Sequence, residues 1–213
     1  MARKLKHTTT EHQLELSELP RLESGVVDWN EVFQSADPLR IEIGVGNSPF
    51  LIELARRAPQ FQYLGFEYCK RRVLKFLKRV RDAEIDTIRI LQVEATQVLP
   101  EIITTASVDH LYVNHPDPWP KRRHAKKRLV RSANVRAFRQ LLRPAGGISA
   151  RTDSPEYAQQ MLEAFGNEPG LESLSPPGEF AEKPLEPYQT PFEEKFRAQG
   201  KRIYYLEYSR KSI

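Results

Sequence analysis

A run from Asn114 to Arg131 sets one carboxylate among cations: Asn114-His115-Pro116-Asp117-Pro118-Trp119-Pro120, then Lys121, Arg122, Arg123, Lys126, Lys127, Arg128 and Arg131. Three prolines fix φ and remove backbone donors, so Asp117 and Trp119 stand on a stiff, non-helical backbone. A carboxylate held that way suits a group that takes on positive charge as it reacts. The cations that follow suit phosphate. Trp119 can stack on a base, although packing under the loop is the plainer reading. A Pro-x-Pro turn alone is structural, and a charge run is most often a solvated face. The acid between the prolines separates this run from both. Glu42, two residues before Gly44-Val45-Gly46, can face a cationic ligand such as the amino acid end of S-adenosylmethionine, because glycines let the backbone approach closely. Glu67 can accept from both hydroxyls of a ribose, as in sites for NAD or S-adenosylmethionine, and Glu94 can meet an adenine amino group.

These residues act together only if the chain carries them to one edge. Leu39 to Ile43 alternates as a strand and ends in the glycine turn, and Phe50 to Arg57 reads as the helix that follows. Further strands are expected over Phe61 to Phe66, Thr87 to Val93, Val108 to Val113 and Ile148 to Arg151. Helices are expected over Lys70 to Arg81, Thr96 to Ile103, Arg128 to Leu142 and Ser154 to Phe165. Such alternation means crossover units and a mostly parallel sheet, with ligands at the carboxyl ends of its strands. Glu42, Glu67, Glu94 and Asp117 all fall there. The proline-rich stretch from Pro169 to Pro191 reads as a long loop, and Ile203 to Tyr208 as a terminal strand. Residues 1–36, with weak periodicity, form an N-terminal arm and leading segment ahead of a single domain over 37–213. Arg3, Lys4, Lys6 and His7 in the arm read as a solvated tail that can also touch phosphate.

The 213 residues suffice for one well-buried domain. Hydrophobic content of 39% with 29% charged residues excludes wholesale disorder. No stretch approaches the roughly 20 apolar residues of a membrane span. Met1 to Thr10 is basic and polar, unlike a secretory signal, so the cytoplasm is the expected compartment. The single cysteine, Cys69, excludes a disulfide framework and a Cys-rich zinc site, and reads as structural; no metal is expected. A net charge of +5 suits a polyanionic partner. The charge is polarised: seven basic residues and no acid from Tyr68 to Arg81, seven more from Lys121 to Arg131, and acids gathered over Glu179 to Glu194.

Pro116-Asp117-Pro118-Trp119, followed by Lys121, Arg122, His124 and Lys127-Arg128-Leu129, resembles the signature of the tRNA (guanine-N7)-methyltransferase family. The likeness covers about Ile41 to Tyr208. Thr152-Asp153 matches the family's Thr-Asp after the fifth strand, and Thr190-Pro191-Phe192-Glu193 its Thr-x-Phe-Glu motif. The resemblance implies an α/β, Rossmann-like class I methyltransferase fold: a mostly parallel seven-stranded sheet, helices on both faces and an antiparallel last strand. It implies that Glu42, Gly44, Gly46, Glu67, Glu94 and Asp117 bind S-adenosylmethionine, and that Asp117 is catalytic. It further implies that Lys121, Asp153, Thr190 and Glu193 bind the substrate, tRNA, at the variable-loop guanosine of position 46. Arg122, Arg123, Lys126, Lys127 and Arg128 are expected on the tRNA backbone. Two positions depart from the pattern. Ser48 stands where a third glycine is common, and His115 where an aromatic or apolar residue is usual; His115 is read as packing, with no catalytic role.

Three other readings stay open at this point. Asn114-His115-Pro116-Asp117 loosely resembles the Asn/Asp-Pro-Pro-aromatic loop of methyltransferases acting on exocyclic amino groups, although that loop has adjacent prolines. An NAD-dependent dehydrogenase is disfavoured by Glu42 before the glycine turn. A non-catalytic RNA-binding module is disfavoured by Asp117 and the three cofactor carboxylates. Monomer and homodimer are equally compatible with the sequence.

Overall fold

The computed structural model describes residues 12–212, so Arg3, Lys4, Lys6 and His7 lie outside the described residues. The leading segment gives β1 (Gln13–Leu14) and α1 (Trp29–Phe33). The crossover region follows as β2 (Leu39–Ile43), α2 (Phe50–Arg57), β3 (Gln62–Phe66), α3 (Lys70–Asp82), β4 (Ile88–Leu91), α4 (Ala95–Ile102) and β5 (Val108–Asn114). The second half holds α5 (Ser132–Leu141), β6 (Leu142–Thr152), α6 (Pro155–Gly166), β7 (Leu171–Ser173), α7 (Pro191–Ala198) and β8 (Tyr204–Arg210).

One eight-stranded sheet has the order β1-β4-β3-β2-β5-β6-β8-β7. From β1 to β6 every pairing is parallel, while β8 runs antiparallel between β6 and β7. The sequence pattern places six strands and the family resemblance implies seven; the sheet has eight, adding β7 and also β1, whose Gln13 and Leu14 pair with Ile90 and Leu91. Side-chain alternation assigns the two helical layers. Ile41, Ile43, Leu64, Phe66 and Val113 pack with α4, α5 and α6, whereas Tyr63, Ile88, Ile90 and Tyr112 pack with α2 and α3. Leu14, Leu19, Val27, Trp29 and Phe33 of the leading segment join the first of these cores, and Trp29 Nε1 donates to the carbonyl of Ile102 (2.9 Å). No described helix is long and apolar enough to cross a membrane.

Two differences from the sequence reading bear on function. The helix expected from Arg128 begins only at Ser132; the basic run before it folds as a 3-10 turn over Arg122–Lys127. Inside the proline-rich stretch stand a strand, β7, and a helix, α7. Thr190 caps α7 by accepting from the amide of Glu193 (3.2 Å), and Pro191 occupies its first turn, where the missing N–H costs nothing.

Candidate active site

β2 ends in a turn that only glycine fits comfortably: Gly44 has φ +81° and Gly46 φ +56°. Ser48, in the place of a third glycine, accepts from the amide of Phe50 (3.2 Å) and so serves the start of α2. Glu42 points from β2 into the interior and is fully buried. Its Oε1 accepts from Asn114 Nδ2 at the end of β5 (2.7 Å), and its Oε2 has no partner. Burial pushes its pKa up to about 8, against the opposing pull of the Asn114 hydrogen bond and the Arg151 charge. Glu67, just past β3, is 3% exposed; its oxygens accept from the amides of Gly46 (3.1 Å) and Cys69 (2.9 Å) and face Arg72 at 3.7 Å. Glu94 stands exposed ahead of α4 and accepts from the Thr96 hydroxyl (3.2 Å).

The loop after β5 turns sharply. His115 and Trp119 take left-handed conformations, φ +48° and +43°, on either side of Asp117. Such backbone is costly unless its surroundings enforce it. At Trp119 Arg128 does so. Its guanidinium, buried at 3% exposure, donates to the carbonyls of Pro118 (2.7 Å) and Trp119 (3.4 Å) and to Gln160 (2.6 Å) and Glu156 (3.0 Å) of α6.

Two adjoining cavities result. The larger, about 460 Å³, is walled by Gly44, Glu67, Glu94 and Asp117, with Lys126 and Lys127 also on its lining. The smaller, about 140 Å³, is walled by Glu42, Gly44, Gly46, Asn114, Asp117 and Thr190. Gly44, Arg72, Asn114, His115 and Asp117 belong to both walls. An unpaired buried carboxylate oxygen beside two turn glycines fits a cationic, donor-rich group, and acidic groups after successive strands fit the hydroxyls and amine of a nucleoside.

A family model described as "Putative methyltransferase" matches residues 36–206. The tRNA (guanine-N(7)-)-methyltransferase of Aliivibrio salmonicida is 32% identical over 185 residues, 87% of this chain and 78% of that protein. The protein of the same name from Cupriavidus pinatubonensis is 37% identical over 159 residues, 74% of this chain and 62% of that protein. This chain belongs to the tRNA (guanine-N7)-methyltransferase family. It is an S-adenosylmethionine-dependent methyltransferase. The crystal structure of the antibiotic-resistance methyltransferase Kmr superposes with a TM-score of 0.55 at 18% identity, covering 83% of this chain and 89% of that one, a likeness of fold alone.

Not every residue expected at the methyltransferase's site lies in it. Lys121 and Arg123 are exposed but line neither cavity, and Arg122 sits on the same 3-10 turn. Asp153 is also off both walls, paired with Lys201 (2.6 Å). Two expectations need correction. Arg128 cannot lie along an RNA backbone, because its guanidinium is inside, tying the Asp117 loop to α6. Glu193 is 1% exposed and ion-paired to Arg151 (3.1 Å), with Tyr205 donating to its other oxygen, so its carboxylate faces the interior rather than a base. Sequence reasoning missed Arg151 itself, 1% exposed, which also donates to the Tyr188 carbonyl (3.0 Å) and so fastens the approach to α7 onto β6. The signal was there: an arginine on a strand buried on both faces demands an internal anion. Asn114 was missed as the partner of Glu42, and Arg72 as the partner of Glu67.

Proposed function

We propose that this chain transfers the methyl group of S-adenosylmethionine to N7 of the variable-loop guanosine at position 46 of tRNA, acting in the cytoplasm. One observation carries the reading: a carboxylate-lined cavity and a smaller one beside it share the wall at Asp117, with exposed Lys126 and Lys127 on the same lining. S-adenosylmethionine, when bound, supplies a methyl group on a cationic sulfonium. Glu42 would hold its ammonium, the Gly44 to Gly46 turn its methionine end, Glu67 the ribose and Glu94 the adenine amine. Guanine N7 offers a lone pair and has no proton to lose, so no general base is required. What the protein contributes is alignment and a field. Asp117 is the catalytic group: its carboxylate accepts hydrogen bonds from the guanine edge and stabilises the ring as it becomes cationic. Thr190 stands on the substrate side of the smaller cavity. We assign Glu193 to seating α7 through Arg151. Asn114 spends its amide on Glu42, which counts against chemistry on an exocyclic amine, where that residue would have to meet the base.

The reaction itself is tested by incubating the protein with radiolabelled S-adenosylmethionine and unmodified tRNA, then identifying the labelled nucleoside. 7-Methylguanosine is expected; 6-methyladenosine would overturn the reading.

Glu42 gives a pH signature. Its pKa of about 8 means the free protein holds the proton near neutrality, whereas an ammonium partner requires the anion. Cofactor affinity is therefore expected to rise as pH approaches 8, by at most about tenfold per unit, and to level off above it. Calorimetry in buffers of different ionisation enthalpy should register proton release on binding near neutrality. Glu42→Gln should bind more weakly and lose that release; a wild type that binds without releasing a proton would exclude this role.

Lys121 and Arg123 are exposed and stand off both cavities, so they report on RNA alone. Replacing both with glutamine should leave cofactor affinity unchanged. The slope of log binding constant against log salt should become shallower by about 0.7–0.9 for each phosphate that is no longer neutralised. An unchanged slope would remove them from the interface.

A further inference from the structure

Among the described residues, the buried side-chain polar atoms that lack a partner are Glu42 Oε2, Asn47 Oδ1, Asn114 Oδ1 and both ring nitrogens of His115. All belong to residues lining the smaller cavity. Orphaned buried polar atoms are rare, and a ligand that supplies their partners is a physical reason for them. The three lone oxygens suit the ammonium of the cofactor. His115 does not belong to that set. Its ring packs toward α7, 6.3 Å from Phe192 and 5.5 Å from Phe196 between centroids, and its amide donates to the Arg151 carbonyl (2.8 Å). An apolar ring would fill that space without leaving two polar atoms unmet.

Burial, reinforced by the Arg151 charge and only partly offset by Glu193 and Asp153, lowers the His115 pKa to about 4. The imidazole is therefore neutral near pH 7, with one N–H donor and one lone pair. A neutral donor adds no repulsion toward a base that becomes cationic.

We propose that His115 is a specificity-determining residue, its imidazole N–H donating to O6 of the target guanine while Asp117 takes the N1 and N2 edge. This rests on the function proposed above. Phe192, which is 42% exposed, is the side chain that turns aside to admit the base. Adenine presents an amine where guanine presents O6, so the donor meets another donor and the wrong purine leaves a buried group unpaired.

Two variants and one base analogue test this. His115→Phe keeps the aromatic volume and loses the donor. His115→Asn keeps a donor and tolerates the positive φ. Against tRNA, His115→Phe should lose about 10- to 100-fold in kcat/KM, with S-adenosylmethionine affinity unchanged, and His115→Asn should recover most of the loss. A tRNA carrying 2-aminopurine at the target retains N7 but lacks O6. It also lacks the N1 proton that Asp117 takes, so it should slow both proteins, and slow the wild type by a further factor that His115→Phe does not show. Equal analogue penalties in both proteins, or full activity of His115→Phe, would overturn the assignment. A fall in cofactor affinity alone would overturn it too, by moving His115 to the cofactor end. The wild-type product separates the two failures. If the wild type forms no 7-methylguanosine, the proposed function fails and this assignment with it; if it does and His115→Phe matches it, only His115 is misassigned.

Discussion

Replacing Asp117 with asparagine is expected to slow methyl transfer by about 10²- to 10³-fold under saturating cofactor and tRNA, while S-adenosylmethionine binds nearly as before. The substitution is almost isosteric. It leaves the shape of the loop intact, with Pro116 and Pro118 on either side and the left-handed His115 and Trp119 beyond them. The negative charge is removed, and one acceptor oxygen becomes an NH2 donor. A methyl group leaving a sulfonium carries positive charge onto the guanine, and a fixed anion stabilises that charge where it develops more than it stabilises the neutral base beforehand. With both substrates saturating, the loss of charge should therefore appear in the rate of the chemical step. Single-turnover measurement of 7-methylguanosine formation, with cofactor affinity measured separately, makes the distinction. A rate within about threefold of wild type, well short of the loss expected from a missing charge, would strip Asp117 of its catalytic role.

Arg128→Met is expected to destabilise the fold by about 2–4 kcal/mol and to do so without any RNA present. The reason lies in what its guanidinium holds. The carbonyls of Pro118 and Trp119 and the amide oxygen of Gln160 each lose a donor, and the stacking of the guanidinium over Tyr157, 5.1 Å from the ring centroid, goes as well. The ion pair with Glu156 adds little, since that carboxylate is 63% exposed. For a chain of this length each kcal/mol corresponds to about 2–4 °C in melting temperature, so a thermal melt reads the effect directly. Had Arg128 been bound to phosphate, the same substitution would leave the melt unchanged and weaken only tRNA binding. Activity should fall along with stability, because the loop that carries Asp117 loses its attachment to α6.

The sheet was readable from alternation where strands are buried on both sides. Leu39 to Ile43 coincides with β2, and the strands around it end within two residues of expectation, although β6 starts six residues before the expected Ile148, at Leu142. That Glu42, Glu67, Glu94 and Asp117 line adjoining cavities was readable for the same reason: position after a strand dictates which way a carboxylate can face. The placement of the later residues was not. Proline density made 169–191 look like loop, although Thr190-Pro191 is itself a helix start, and the weight given to breakers hid it. Arg128 was misread because sequence shows a cation's neighbours in the chain but not which way its side chain turns. Five of its neighbours between Lys121 and Lys127 are basic like itself, and only the inward fold of the 3-10 turn singles it out. Glu193 was misread in the same manner; its buried partner, Arg151, lies 42 residues away.

The position of β8 has a temporal consequence. It is the last strand in the chain, yet it lies inside the sheet, with β6 on one side and β7 on the other. Tyr205, on β8, donates to Glu193, so α7 finds its full anchorage only once this strand is in place. On a ribosome, then, the glycine turn and the Asp117 loop can form early, while α7 waits for its anchorage until residues 204–210 have emerged. A chain stalled before that point would keep the walls built by β2 to β5 but leave α7, and Thr190 at its cap, unseated.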